Sequence, residues 1–235
     1  SSFRPVTVLK GTIISGKKNG TLRKILVTFQ FVLSIIMIIG IIMVSRQLNY
    51  LRNKDLGFNK ENIILTQVQD TSFRKKIPVF KEELLQNPAI THVSSNTGLP
   101  GYVRSIVVMR VEKDNKMQEY ALNFVMVDHD YIELLGMEIV EGRNFDEKMG
   151  TDVEEAVIIN EKAVEKLGWT DDPIGKKIDF GVDLDGSALR NTKVIGVVKD
   201  FNYTSLHNPI EPLCLFLTDR PRYFLAIKYD DENLQ

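Results

Sequence analysis

Gly175, Lys176 and Lys177 follow Pro173 in DPIGKKI. A glycine beside a lysine is what a phosphate-binding loop uses to bring backbone N–H groups and an ammonium to an anion. That loop also needs a glycine at the P-loop spacing before the lysine and a Ser or Thr after it to meet magnesium. Thr170 and Lys177 stand there instead, so a turn with two solvated lysines is expected. Asp179, Phe180 and Gly181 spell the magnesium-binding triplet of protein kinases, but no catalytic-loop HRD and no glycine-rich loop precede them. VDLDGS sets Asp183, Asp185 and Gly186 at the third, fifth and sixth positions of a calcium loop. The first and twelfth positions are then Gly181 and Thr192, and without the bidentate glutamate the cage is not completed. DHDY crowds Asp128 and Asp130 around His129, while His92 and His207 lie far off in sequence. Adjacent residues rarely converge on one ion, so Asp128 or Asp130 is expected to cap a helix. Cys214 in LCLFL reads as a small core residue, and Trp169 as packing beneath the turn at Pro173–Gly175. No catalytic residue, cofactor site or metal site is expected.

Composition narrows the field further. The 235 residues carry a net charge of −1, without the basic domain or stripe of a nucleic-acid binder. One cysteine excludes an internal disulfide, so stability must come from an apolar core. The chain opens on Ser1 and stops just after the strand-like RYFLAIKY, which reads as a piece of a longer protein.

One stretch stands apart from this background. Residues 25–44, ILVTFQFVLSIIMIIGIIMV, hold fourteen Leu, Ile, Phe and Val and no charge in a chain that is 26% charged. On an insertion scale those side chains favour a bilayer by about 4 to 8 kcal/mol in sum. Twenty apolar residues suffice to cross a hydrocarbon core about 30 Å thick. A core helix would show a polar face, and a secretory signal would be shorter and end in small residues; neither is seen. Arg4, Lys10, Lys17, Lys18, Arg23 and Lys24 precede the run without an acid, whereas the far flank mixes Arg46, Arg52, Lys54 and Lys60 with Asp55 and Glu61. The positive-inside rule places the tail in the cytoplasm and the bulk of the chain outside. Gln30, a polar amide in hydrocarbon, and Gly40, which permits close approach, point to packing against neighbouring helices.

Helical spacing outlasts the run. Val44, Leu48 and Leu51 recur through SRQLNYLRN, and Gly57 before Phe58 reads as a left-handed stop. With Thr21 as its cap, a helix over 21–56 is about 54 Å long and leaves a stalk above the membrane. Beyond it, NIILTQVQ, RKKIPVFKEELLQN and AITHVSSNT read as a βαβ-like unit, and SIVVMRVE and QEYALNFVMV as a hairpin around KDNK. From Asp128 short helices, stopped at Gly136 or capped by Asn160 and closed by Gly168, interleave irregularly with strands, so the class is α+β.

LRKILVTFQFVLSIIMIIGIIMVSRQLNYLRNKDLGFNKENII resembles the first span and stalk of a repeat in MacB/FtsX-like ABC transporter permeases. EGRNF, AVIINEKAVEKLG, DPIGKKI and KVIGVVKDF, in that order, are similar to motifs of their periplasmic core domain, and FRPVTVLKG to the linker before the second half of a double-length permease. The resemblance implies a bacterial inner-membrane permease subunit, not an enzyme, with a cytoplasmic linker at 1–20 and a span and stalk at 21–57. It implies a two-part periplasmic domain: a porter-like first half at 58–127, a sabre-like insertion at 128–218 and the start of the porter return at 219–235. It further implies a separate ATP-binding cassette ATPase, a second permease half or homodimer partner, and a periplasmic adaptor or cargo, beside the lipid bilayer. Motion driven by ATP would then reach the periplasmic domain through the stalk. The alternative from another class is a membrane-anchored sensor with an exported ligand-binding domain, which would show one span leaving and a signalling helix after it. A tethered enzyme would need a convergent catalytic set that the motif search does not supply.

Two outcomes are expected. A cysteine at Lys18 should be shielded from an impermeant thiol reagent in intact cells and one at Lys116 labelled; the reverse pattern overturns the orientation. The part after the span should bind neither ATP nor a structural metal, and stoichiometric zinc or calcium after dialysis would refute this.

Overall fold

The computed structural model describes residues 17–101, 103, 105–114, 116–182, 188–220 and 223–231. Helix α1 runs over Lys17–Asn53, 37 residues, and is a unit by itself; the chain from Asp55 onward forms a second compact unit. Thr21 therefore lies inside the helix, not at its cap, because the long apolar run propagates helix back through residues that do not resist it. The C-terminal end also differs from expectation. Asp55 accepts a hydrogen bond from Gly57 N (2.9 Å), a local turn that competes with a further helical turn, so the helix stops at Asn53. Gly57 takes φ +78°, but four residues past the helix. A side chain there would come within 2.6 Å of Asp200 O, so glycine serves close approach to the 200–201 backbone.

The second unit contains β1 (Ile63–Gln67), α2 (Thr71–Arg74), α3 (Ile77–Leu85), β2 (Ile90–Asn96), β3 (Ile106–Lys113), β4 (Lys116–Val127), α4 (Tyr131–Leu134) and β5 (Ile139–Gly142). It continues with α5 (Asp152–Glu155), β6 (Ala156–Asn160), α6 (Glu161–Leu167), β7 (Lys177–Val182), β8 (Ala188–Val198), β9 (Leu213–Leu217) and β10 (Phe224–Tyr229). Helices and mixed strands together give the α+β architecture.

Three strands form a small sheet in the order β1-β10-β2, with β10 antiparallel to both neighbours. The βαβ-like reading of β1, α3 and β2 thus holds for direction, but the distant return strand separates the two. Pro78 sits in the first turn of α3, where its missing N–H costs nothing, and Ile77, Phe80 and Leu84 face Val93 and Leu225.

Seven strands form the larger sheet, β5-β8-β6-β9-β4-β3-β7, and β7 pairs again with β8. That second pairing closes six of them into a barrel. Strand β8 achieves this by length: residues 188–193 serve β7 and residues 196–198 serve β5. Alternation along each strand divides the apolar residues. Met109, Leu122, Val157, Ile159, Ile178, Cys214 and Phe216 fill one core, in which the Phe180 ring meets Phe124 and Phe216 edge to face at 5.0 and 4.7 Å. Val125, Ile158, Leu213 and Leu215 face the other way and pack with Tyr131, Leu135, Phe201 and Tyr203, where Ala226 of the small sheet joins them. The hairpin β3–β4, expected within the porter-like span 58–127, hydrogen-bonds into this larger sheet with strands of 128–218. Its tight turn is made by Asp114 at φ +51°.

At the corner after β5 two backbones approach closely. Gly142 at φ +77° would collide with Ile195 O if it carried a side chain, and Gly196 with Arg143 O. This crossing directs Arg143 onto Asp152 in a two-pronged pair at 2.7 and 2.7 Å, with the carboxylate also accepting from Asp146 N at 3.1 Å. Hydrogen bonds from Arg143 hold the Asp152 carboxyl below the usual carboxylate range. Asp152→Asn should cost roughly 1–2 kcal/mol, less than a fully buried pair because the Arg143 side chain is 40% exposed. A depressed carboxyl pKa stabilises the fold above the unfolded value of about 3.9, and the contribution is lost as pH falls through the folded value. The difference in unfolding midpoint between wild type and Asp152→Asn should accordingly be constant near neutrality and shrink in acid; a difference that persists at pH 2 contradicts it.

Candidate functional site

Every residue of α1 from Gly20 to Asn53 is exposed, and the helix is long and apolar enough to cross a membrane. Continuity of this helix aligns the residues singled out in it. At about 100° per residue, Leu48 falls directly above Gln30, Leu51 about 60° to one side and Gly40 about 80° to the same side. Met37 and Val44 fall on the same stripe, Arg52 flanks it about 40° to the other side of Leu48, and Arg46, Asn49 and Asn53 lie away from it. Ser34 Oγ donates to the Gln30 carbonyl at 2.9 Å, and nothing lies within 4 Å of the place a Cβ on Gly40 would occupy. Gly57 belongs to the turn after the helix and does not share this stripe.

The residues whose types suggested chemistry take structural roles. Gly175 N donates to Val194 O at 2.7 Å in the turn into β7. Asp179 accepts from Arg110 at 3.0 Å across the β3–β7 seam. Asp183, Asp185 and Gly186 lie outside the described residues. Asp130 makes no side-chain cap on α4, and Asp128 does not cap it either. Lys81 on α3 draws both carboxylates to its ammonium instead, and Asp128 also accepts from Ser95 N at 2.8 Å. These aspartates therefore tie α3 and β2 to the end of β4. Burial pushes the Cys214 thiol up to about 12, which keeps it protonated and unreactive at neutral pH. Trp169 is buried and donates to Glu112 O at 3.0 Å. Among the described residues no group of His, Cys, Asp and Glu is placed to hold a metal ion.

A polar junction that the local pattern only half revealed sits at the start of α6. Asn160 caps the helix by accepting from Ala163 N at 3.1 Å, as its position predicts. The same oxygen accepts from Leu213 N (2.9 Å), and the amide nitrogen donates to Asp200 Oδ1 and Glu211 O, both at 3.0 Å. Asp200 in turn accepts from Lys162 N (2.9 Å), and its own N–H donates to Glu161 (2.9 Å). Burial holds the Asp200 carboxyl above the usual carboxylate range, and the hydrogen bond from Lys162 N offsets this only in part. AVIINEKAVEKLG and KVIGVVKDF thus meet at one buried point, as EGRNF and KVIGVVKDF do at the Gly142–Gly196 crossing. An asparagine before a helix signals the cap; partners 40 and 51 residues away leave no local signal.

The periplasmic region of MacB from Actinobacillus actinomycetemcomitans shares this fold, with a TM-score of 0.51 at 17% identity over 75% of this chain and 78% of that one. The extracellular domain of the noncanonic ABC-type transporter YknZ from Gram-positive bacteria aligns over 72% of this chain and 84% of that one, with 14% identity and a TM-score of 0.46. No curated protein matches the chain. The MacB-like periplasmic core domain family matches residues 26–224, from within α1 to the first residue of β10. With so much of its length matched, the chain belongs to the MacB-like periplasmic core domain family and is a MacB/FtsX-like ABC transporter permease.

Proposed function

We propose that this chain carries ATP-driven motion from a separate cytoplasmic ATP-binding cassette subunit through α1 to the domain beyond it. On this reading the N-terminal tail is cytoplasmic and the second unit is periplasmic, acting on cargo or an adaptor already outside the membrane. FRPVTVLKG marks the half as the second of a double-length permease, paired with its first half or with another copy. The stripe of Gln30, Gly40, Leu48 and Leu51 is the face turned toward neighbouring helices, since an amide in hydrocarbon gains from a partner and a glycine allows close approach.

The observation that carries the proposal is the continuity of α1: 37 residues without a proline, leading from an apolar, fully exposed segment toward a MacB-type domain. A rigid rod passes displacement on, whereas a hinge absorbs it. Within 41–53 there is also no glycine. Replacing Asn49 and Tyr50 by Gly-Pro removes a helical hydrogen bond and introduces a clash, at a local cost of about 3 kcal/mol or more. In the full-length permease, insertion and assembly with the ATPase should survive this change while ATP-dependent work is lost. Full activity in a variant shown by spin-label distances to be bent at that site would leave the helix a tether only.

A further inference from the structure

Only Lys54 separates the last residue of α1 from the second compact unit, and the first residues of that unit are not a loose linker. DLGFN, residues 55–59, holds one glycine and no serine or proline, unlike a chain built for freedom. Each residue from Leu56 to Asn59 is engaged. Leu56 O accepts from Asn202 N at 2.8 Å, and Asn59 N donates to Leu135 O at 2.7 Å. Between them Gly57, at φ +78°, lies so close to the chain at 200–201 that a Cβ would stand 2.6 Å from Asp200 O and 2.9 Å from Phe201 Cα. The Phe58 ring meets the buried Phe201 edge to face at 6.5 Å and packs against the core shared by the barrel and α4. Asp55 closes the turn from its own side by accepting from Gly57 N at 2.9 Å.

These contacts converge on pieces of chain that are themselves fixed. Asp200 accepts from the Asn160 amide and from Lys162 N, and so joins the 200–202 chain to the start of α6. Phe201 is fully buried, with the Tyr203 ring at 5.8 Å beyond it. Leu135 ends α4, whose Tyr131 hydroxyl donates to Gly98 O at 3.0 Å from inside the core. A displacement arriving at residue 55 is not absorbed by rotation about the bonds of 56–59 unless one of the two short hydrogen bonds breaks or Phe58 leaves the core. Packed side chains of this kind pass a shift on to their neighbours.

We propose that residues 56–59 are a clamp through which motion of the stalk enters the barrel, at the exit of β8 and at α4. This rests on the reading of α1 as a transmitting rod and adds the place where the load of the rod is delivered. Hydrogen exchange in the full-length, membrane-inserted permease reads the clamp without any ATPase. The Asn59 and Asn202 amides should exchange at least about 100-fold more slowly than free amides, since they open only when the clamp does. Gly57→Ala puts a Cβ where none fits and a side chain at a left-handed φ; it should speed both amides together by about 10-fold or more, while the amides of β9 keep their protection. Joined to its ATPase, the same variant should retain ATP hydrolysis and lose ATP-dependent work. Phe58→Ala, which removes the ring contact without a clash, should act in the same direction and serves if Gly57→Ala does not fold. Wild-type amides that exchange like free ones overturn the proposal, as does full ATP-dependent work in a variant whose clamp amides have been freed. The two failures are separable: a freed clamp that leaves work intact, beside a Gly-Pro stalk variant that loses it, overturns the clamp alone, whereas work that survives both variants removes the rod as well.

Discussion

Asn160 is fully buried, and its amide has two donor and two acceptor positions, all of them occupied. Its partners come from the first turn of α6, the end of β8 and the segment leading into β9. Taking an amide out of water without these partners would be strongly unfavourable, so the side chain is stable there only if three distant pieces of chain arrive together. That condition fixes the mutual position of β6, β8 and β9, which lie side by side in the barrel. Asp200 extends the constraint, since its carboxylate joins the Asn160 amide to the N-terminus of α6.

Barrel closure builds on this junction. Once β8 is set against β6, its N-terminal half is free to accept β7 and its C-terminal half to accept β5. The Gly142–Gly196 crossing is the steric condition for the second of these, and the Arg143–Asp152 pair its electrostatic lock. With the ring closed, alternation along each strand yields two cores in place of one, inside the barrel and between the barrel and α4. Two such cores account for a stable domain without a disulfide, and for a single thiol that is buried and protonated.

The helix that precedes this domain obeys a different solvent. Over residues 25–44 its large side chains, Gln30 apart, are apolar and exposed, an arrangement that water disfavours and hydrocarbon favours. A backbone that crosses lipid must satisfy its own hydrogen bonds, which is why an uninterrupted helix serves both to span and to extend. The same regularity aligns Gln30 with Leu48 over 18 residues, on one side of the helix.

The amino-acid sequence by itself determined what depends on neighbours along the chain. The apolar run at 25–44 made a helix, short apolar runs made NIILTQVQ, EAVIIN and TKVIGVVKDF strands, although β1 is largely exposed, and Asn160 and Gly168 bounded a helix because capping needs only the next few N–H groups and a left-handed residue. Helix ends were less legible, since Asp55 competes for the last turn before Gly57 through a side-chain hydrogen bond rather than a periodic pattern. Tertiary structure alone decided the pairing of strands. Nothing local in RYFLAIKY places it between β1 and β2, and nothing in the β3–β4 hairpin assigns it to the barrel, because a strand's alternation names its buried face but not its partner. The same holds for Asp128 and Asp130, which read as helix caps beside Tyr131 until folding brings Lys81 from 47 and 49 residues away. A charge 3 Å distant in space then outweighs any preference set by position along the chain.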